Sequence, residues 1–421
     1  MPDYKKKKVK RSGRAKGNAT VKNNDLEMKP SRREKNIPTA NVKVVKGGKL
    51  ERMRKMRITV AAVAFISVIC ILLNFLLPVG LYENYVNLVA SIGNGSYPVS
   101  VYGSDIYDIA AGNSHYFMLT DSRISAYNNS GKEIISVSHG YANPYLTVSE
   151  TRALVFDQGG TELCVYNLKN ETNNLALDDK IITADISRSG TFAVVTKSES
   201  YASTVTVYDK NSKVVYTWNS ALDIVSSITV SPSGKNIAVG TVSVENGQYK
   251  SKILILDFES ANAKFTTDLG NDVPVLLDSN SSGISVVTEK AYNFIRWNNN
   301  ERNEIKSEYT IDKFRKSGNR MLLVLNHEGN KNENIIILLA SNGKKICEFK
   351  YDGAIADIEP KGNHIYCLSD NKILLFGKDG EILREGKSGY GAIRLKVLTS
   401  NTVAVASNTA IEKITVEKEV E

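Results

Sequence analysis

The sequence predicts an all-β fold, an eight-bladed β-propeller, preceded by a disordered basic tail and one transmembrane helix. Three observations support this prediction. Residues 58–82 contain no charged side chain, the residues before them are strongly basic, and the chain after them repeats a pattern of short strands and turns. These features divide the chain into a tail (1–57), a span (58–82), a linker (83–96), a propeller (97–417) and a terminal segment (418–421).

The uncharged segment is long enough to cross a bilayer. Residues 58–77 alone would extend about 30 Å as an α-helix, which matches the hydrocarbon thickness of a membrane. A cleaved signal peptide is the alternative interpretation, but such peptides have a short basic region and an apolar stretch of about 7–15 residues. The long basic region and the longer apolar stretch in this chain favour an uncleaved anchor.

Charge predicts the orientation of the span. Residues 1–57 carry 20 Lys/Arg and 5 Asp/Glu, whereas residues 58–421 carry 34 and 40. Tyr82 and Tyr85 stand where interfacial aromatic residues anchor the outer end of a span. Basic residues, which favour retention in the cytoplasm, directly precede the span: Arg52, Arg54, Lys55 and Arg57. We therefore expect a cell-membrane protein with a cytoplasmic N-terminus and an extracytoplasmic propeller.

The basic tail has little apolar surface to bury, so we expect residues 1–49 to be disordered. Its lysine and arginine clusters, such as residues 5–8 and 32–35, would bind an anionic membrane surface with about 1 kcal/mol per nearby charge. A solvated tail that only sets the topology is an equally weighted interpretation. Nucleic acid is a disfavoured partner, because no aromatic side chains are interleaved to stack on bases.

The region after the span is built of units of about 40 residues, the period of propeller blades. Each unit contains two short runs rich in β-branched residues, separated by turns with Gly, Asn or Asp. Eight units is the predicted count, and seven is the alternative. The second run of each unit ends close to a large apolar or aromatic residue: Tyr127, Tyr166, Tyr208, Leu256, Trp297, Leu339, Phe376 and Val416.

The two ends of the repeat array are expected to meet. The last unit has three evident strands, at 393–398, 402–406 and 411–417. Residues 97–102 precede the first full unit, and we expect them to supply the missing fourth strand. Closing the ring in this way removes strand edges that would otherwise pair with other chains.

The turns also resemble known propeller repeats. Residues 231–238 (Ser-Pro-Ser-Gly-Lys-Asn-Ile-Ala) resemble the Ser-Pro-Asp-Gly-Lys turn of TolB-like propellers, with Ser233 in place of the aspartate. Residues 340–345 and 127–133 resemble the Gly-Lys turn of pyrroloquinoline-quinone-like (PQQ-like) repeats, without their docking tryptophan. Taken whole, the chain is similar to a bacterial family of single-span membrane proteins of unknown function with a degenerate, WD40-like propeller.

No constellation of residues predicts catalysis, a cofactor or a metal site. His115, His139, His327 and His364 are scattered singly, and we expect each at a turn or a strand end. The resemblance to quinone enzymes would imply an adjacent cysteine pair, which is absent from this sequence. The cysteines are Cys70, Cys164, Cys347 and Cys367. For the last two we favour buried free thiols over a disulfide.

We therefore expect a binding or scaffold module for an envelope or extracellular protein or glycan, and not an enzyme. Loops on a rigid scaffold carry recognition, and the insert 242–252 and the polar stretch 298–304 are the first candidates; tolerated surface insertions are the alternative for both. A hydrolase or lyase acting on a glycan or peptide remains the second hypothesis, because its residues would converge on the channel from different blades. Carboxylates or histidines lining the channel would favour it.

Overall fold

The structure is a computed structural model that describes residues 48–76, 81–112, 114–169, 171–327 and 330–417. Two helices open the described part of the chain: α1, Gly48–Leu76, and α2, Leu81–Ser91. Helix α1 contains, over Arg52–Leu73, the one stretch among the described residues that is long and apolar enough to cross a membrane, with a mean hydropathy of 2.5. Most of the predicted tail, residues 1–47, and the segment 418–421 lie outside the described residues.

The helices differ from the predicted span and linker. The span was expected as one helix over 58–82 after a disordered tail, followed by a linker at 83–96. Helix α1 instead begins at Gly48, because Leu, Glu, Arg, Met and Lys in this segment are good helix formers. It ends at Leu76, two residues before Pro78, as expected because residues before a proline disfavour the α conformation. A second helix, α2, then occupies most of the predicted linker.

The remaining described chain forms four-stranded antiparallel sheets, the blades. Strand β1 is Val99–Ser100. Blades 1 to 4 comprise β2 Ile106–Ala111, β3 His115–Thr120, β4 Arg123–Asn128, β5 Glu133–Ser138; β6 Pro144–Val148, β7 Arg152–Asp157, β8 Glu162–Asn167, β9 Glu171–Ala176; β10 Ile181–Ile186, β11 Phe192–Thr196, β12 Ser203–Tyr208, β13 Val214–Ser220; β14 Ile224–Val230, β15 Asn236–Glu245, β16 Gln248–Asp257 and β17 Phe265–Gly270.

Blades 5 to 8 follow the same order. They comprise β18 Leu276–Ser279, β19 Gly283–Val287, β20 Ala291–Arg296, β21 Arg302–Lys306; β22 Thr310–Ser317, β23 Arg320–His327, β24 Asn330–Ala340, β25 Lys345–Asp352; β26 Asp357–Lys361, β27 His364–Ser369, β28 Lys372–Phe376, β29 Ile382–Lys387; β30 Ala392–Val397, β31 Thr402–Ser407 and β32 Ala410–Thr415, completed by β1. The count of eight blades in residues 97–417 is thus confirmed.

The ring closes as predicted. Val99 and Ser100 of β1 pair with Ile411 and Ala410 of β32, so the N-terminal strand is the outermost strand of blade 8. The first strand of every blade lines the central channel, and the later strands lie progressively outward. Successive side chains along a strand point to opposite faces of the sheet. Because the ring is closed, each blade packs both faces against neighbouring blades.

Apolar side chains between neighbouring blades form the core. In the described residues there are eight such clusters, one at each junction of two blades. At the junction of blades 2 and 3, for example, Phe192 and Tyr208 stack with ring centroids 4.9 Å apart against Leu163. Each cluster needs both of its blades, so the ring is stabilised as a whole.

Glycine turns fit the blades closely together. Gly343 lies in the turn 340–345 between β24 and β25, has a φ of +75°, and packs closely on Phe294 of blade 5. A side chain at this position would meet both backbone strain and the phenylalanine ring. This turn therefore requires glycine for two independent reasons.

Candidate functional site

The eight innermost strands and the turns that follow them surround a cavity of about 780 Å³ in the propeller channel. The cavity opens among the turns between the first and second strands of the blades. Its walls are charged, which the sequence did not predict. The acidic and basic side chains that line it are Asp108, His115, Glu150, Asp185, Arg188, Asp278, Arg315, Lys316, Asp357, Glu359, Lys361 and Lys396.

Asp185 on β10 connects three consecutive blades. It accepts hydrogen bonds from Thr147 Oγ1 at 2.8 Å in blade 2, and from Thr229 Oγ1 and the Val230 backbone N–H in blade 4, both at 2.9 Å. Burial raises the pKa of Asp185 from 3.8 to about 6, although the three hydrogen bonds act in the opposite direction. Burial therefore makes this carboxyl group easier to protonate than an exposed aspartate, while it holds the blades together.

Asp357 on β26 makes a similar connection in blade 7. Arg315 of blade 6 donates to its Oδ1 from Nε at 3.2 Å and from Nη2 at 3.1 Å. The backbone N–H of Leu395 in blade 8 donates to Oδ2 at 2.9 Å. One buried carboxylate thus bridges the blades on both sides, and every oxygen of the group is engaged.

Glu359, two residues later on β26, repeats the arrangement. Ser317 Oγ of blade 6 donates at 3.0 Å, the Val397 backbone N–H of blade 8 donates at 2.7 Å, and Lys396 forms an ion pair with the same carboxylate. The side chains of Glu359 and Lys396 are only 10% and 11% exposed. On the preceding junction Lys316 pairs with Asp278 at 2.9 Å. Most channel acids are therefore bound to groups of a neighbouring blade.

Two further groups face the channel. Asp108 is half-buried and accepts a hydrogen bond from the Ile109 N–H at 2.8 Å; burial raises its pKa, against the opposing charges of Arg315 and Arg394. His115 is buried, and desolvation lowers its pKa to about 4. Within the described residues its two ring nitrogens have no hydrogen-bond partner. His115 is therefore neutral at physiological pH.

The opposite face of the propeller carries exposed apolar side chains. The loops between second and third strands and the connections between blades lie on this face, away from the cavity mouth. In blades 3 to 5 these segments expose the following large apolar residues: Tyr201, Leu222, Ile224, Val244, Tyr249, Val275 and Leu276. We call this set the apolar hairpin face, because the β15–β16 hairpin stands at its centre. A cluster of this kind is typical of a protein interaction site.

The β15–β16 hairpin contains the predicted insert 242–252 and projects beyond its own blade. The turn Asn246-Gly247 has φ values of +52° and +77°, which suit a two-residue hairpin turn. Val244 lies opposite Tyr249, so the two exposed side chains share one face of the ribbon. An Asn-Gly pair flanked by strand-forming residues was the sequence signal for this hairpin.

The hairpin also has unpaired backbone edges. Strand β14 pairs with β15 only as far as Ile224 opposite Val242, and β17 pairs with β16 only as far as Gly270 opposite Ser251. In the described chain, residues 243–250 therefore have no strand neighbour beyond the other half of the ribbon. Their outward N–H and C=O groups can accept an added strand.

The second candidate loop, residues 298–304, is bound to the neighbouring blade. Arg302 donates from Nε to Asn293 Oδ1 at 2.7 Å and from Nη1 to the Asp268 carbonyl of blade 4 at 2.9 Å. Asn300 contacts Thr267 of the same blade through a hydrogen bond. This loop holds two blades together, which makes it a poorer candidate for recognition than the hairpin.

The histidines lie at or next to strand ends as expected, whereas Cys347 is less buried than expected. His115 and His364 begin strands, His327 ends one, and His139 follows β5. The four cysteines form no disulfide; Cys164 and Cys367 are buried and Cys347 is partly buried. Among the described residues no group of three or more His, Cys, Asp or Glu side chains has a geometry that fits a metal ion.

A sequence model of a family of unknown function, DUF5711, matches residues 101–416, which is most of the chain and almost all of the propeller. The chain belongs to the DUF5711 family. No curated protein sequence matches it. The expected membership in a family of unknown function is thereby confirmed, while the bacterial origin, the membrane span and the likeness to PQQ-like repeats stay predictions.

Solved structures share the fold at low sequence identity. The computationally designed Ika8 protein is 11% identical, with a TM-score of 0.54 over 77% of this DUF5711 chain and 100% of that protein. BamB from Moraxella catarrhalis is 12% identical, with a TM-score of 0.49 over 76% of this chain and 99% of BamB. At these identities the likeness to the designed protein shows the fold alone.

Proposed function

We propose that this DUF5711 protein is a membrane-anchored binding module that holds its propeller outside the cytoplasmic membrane and recognises an envelope or extracellular protein through the apolar hairpin face. The observation that carries the proposal is the exposure of Val244 and Tyr249, 64% and 57%, on a ribbon that projects from the rigid ring. A segment in extended conformation would pair with the free edge of residues 243–250 and place alternate side chains on this apolar stripe.

Carboxylates and a histidine line the channel, which is the feature expected to favour an enzyme, but most of these carboxylates bind groups of neighbouring blades. Its carboxylates at Asp185, Asp357 and Glu359 accept hydrogen bonds from neighbouring blades, so they are structural groups first. A hydrolase or lyase acting on a glycan or peptide is the second candidate. Asp108 and Asp185 favour it, because burial raises the pKa of both carboxyls within one channel, as general acid-base catalysis requires.

The anchorage in this proposal rests on helix α1 and on the charge asymmetry of the sequence. The orientation is tested by replacing Asn246 at the hairpin tip with cysteine and adding a membrane-impermeant maleimide to intact cells. Labelling of Asn246→Cys above the wild-type background is expected for an extracytoplasmic propeller. Labelling only after the cells are lysed would place the propeller on the cytoplasmic side.

Recognition is tested by co-purification from native membranes with the full chain, the double variant Val244→Asp/Tyr249→Asp, and the control Lys331→Asp in the corresponding hairpin of blade 6. Lys331 is exposed, so the control changes charge on a similar loop. A partner retained by the wild type and the control but lost by the double variant is expected. A partner retained by all three chains would contradict recognition at the hairpin.

The two candidate functions are separated by Asp185→Asn. In a binding module this variant keeps the partner, because Asp185 lies in the channel and the hairpin lies on the opposite face. Turnover of a glycan or peptide library by the wild type that is abolished by Asp185→Asn would instead establish the enzyme. Turnover that is the same in both chains would come from a contaminant.

A further inference from the structure

The last residue of helix α2 and the two residues after it are bound to blade 1 by specific contacts. Asn128, at the end of β4, donates from Nδ2 to the carbonyls of Ser91 and Gly93, both at 3.0 Å. Lys132 donates from Nζ to the Ile92 carbonyl at 3.2 Å. Helix α2 therefore has a defined position on the turn between the third and fourth strands of blade 1.

The described side chains of α2 place a polar residue toward the propeller and apolar residues outward. Asn87 is buried, 8% exposed, and its side-chain amide has no hydrogen-bond partner among the described residues, while Ala90 packs on the core of blades 1 and 2. The apolar side chains point outward at spacings of three and four residues, which places them on one face: Tyr85, Leu88, Val89 and Ile92, between 49% and 62% exposed.

The position of α2 in the chain identifies what covers this face. Only residues 77–80 separate α1, which contains the candidate membrane span, from Leu81 at the start of α2. Even fully extended, the five peptide steps from Leu76 to Leu81 reach about 18 Å. The start of α2 thus lies within reach of the outer surface of any bilayer that α1 spans, and Tyr85 is of the residue type that is enriched at that depth.

We propose that α2 lies in the membrane interface, with Tyr85, Leu88, Val89 and Ile92 buried among lipid headgroups and upper acyl chains, and that it docks the propeller on the bilayer. This inference rests on the proposed membrane anchorage. An interfacial helix of this kind buries its apolar face about 5–10 Å into the boundary between headgroups and acyl chains.

The docking fixes which way the propeller faces. The β4–β5 turn that holds α2 lies on the same face as the turns between first and second strands, and its Asn129 lines the channel cavity. The mouth of the charged cavity is therefore directed toward the membrane. The β15–β16 hairpin lies on the other face, so Val244 and Tyr249 are directed away from the lipid, where a partner can reach them.

The test uses tryptophan emission from the full chain in phosphatidylcholine vesicles, made with or without bromine on the acyl chains. Leu88→Trp reports on α2, Phe65→Trp in α1 is the reference for the span, and Tyr390→Trp, at a 95% exposed position between blades 7 and 8, reports on the far face. The native Trp218 and Trp297 supply a background, which the wild type measures. Flotation of the vesicles verifies that each chain is membrane-bound.

Brominated lipid is expected to remove the emission that Leu88→Trp and Phe65→Trp add, and to leave that of Tyr390→Trp unchanged. If brominated lipid quenched the added emission of Phe65→Trp but not that of Leu88→Trp, the inference would be overturned and the anchorage would stand. This result is expected if a second copy or another protein covers α2. A chain that does not float, or no loss for any variant, would overturn both. Loss for Tyr390→Trp would contradict the proposed facing of the propeller.

Discussion

Removal of the buried cation in the channel should destabilise the propeller strongly. Lys396→Met would leave the Glu359 carboxylate, about nine-tenths buried, without its cation and with only Ser317 and the Val397 N–H as donors. Breaking a buried ion pair by removing one partner costs about 3–5 kcal/mol. Because two donors remain to stabilise the carboxylate, we expect the lower end, about 3 kcal/mol, in the free energy of unfolding.

A matched surface pair provides the control. Lys345 and Glu348 lie 2.8 Å apart with side chains 53% and 41% exposed, and Lys345→Met should cost no more than about 1 kcal/mol. The double variant Glu359→Gln/Lys396→Met removes both charges and should recover most of the loss, because no uncompensated charge stays buried. The assay is urea unfolding of the full chain in detergent micelles, followed by the emission of Trp218 and Trp297, both in the propeller. If Lys396→Met lowered the free energy of unfolding no more than Lys345→Met does, the reasoning would be refuted, because channel water would then solvate Glu359.

Three further predictions concern the ring and its buried groups. The folded-state pKa of Asp185, about 6, lies above its ordinary value of 3.8. The folded state therefore binds the proton more tightly, and the free energy of unfolding should fall by about 3 kcal/mol as the pH rises from about 4 to about 6. In urea titrations at several pH values, Asp185→Asn should lack this pH dependence, and an unchanged pH dependence would assign it to another group. Gly343→Ala should lower the free energy of unfolding by about 1–3 kcal/mol, because the residue has a positive φ and packs on Phe294; a neutral result in the same assay would show that the turn can relax. Burial raises the pKa of the Cys367 thiol, so maleimide should label it near neutral pH only after the chain unfolds, and rapid labelling of the native chain would contradict the packing of blades 6 and 7.

The blade count and the ring closure could be predicted because both are local and periodic. Eight large residues from Tyr127 to Val416 recur near the end of the third strand of each blade, and the missing strand of the last unit required a partner, which Val99 and Ser100 supply. The turn at residues 340–345 could be recognised for the same reason, because the preference of Gly343 for a positive φ is a local property.

The channel chemistry could not be predicted, because it depends on contacts between different blades. Thr147, Asp185 and Val230 are separated by about one repeat each, and only the curvature of the ring brings them together. Charged residues inside first strands, such as Asp108, Asp185 and Asp278, were the available signal. Charged residues on six of the eight inner strands indicate a polar channel only once the ring is known.

Helix α2 was missed because its residues continue the apolar composition of the span. Leu81–Ser91 reads as the outer end of a membrane helix followed by a linker, and the interruption near Pro78 divides the two. In α2, Asn87 points toward the protein and Leu88 points outward. A helix on the surface of a water-soluble domain has the opposite arrangement, so the usual sequence pattern for such a helix did not identify α2.

Photo-crosslinking from the hairpin tests the central claim most directly. A benzophenone amino acid is placed at Tyr249 or, as the control, at Lys331, and the full chain is irradiated in native membranes. We predict a discrete protein adduct from the Tyr249 position that is absent from the Lys331 position and disappears when Val244→Asp is added. Equal adducts from both positions, or none from Tyr249, would contradict the account of the apolar hairpin face as the surface that recognises a partner.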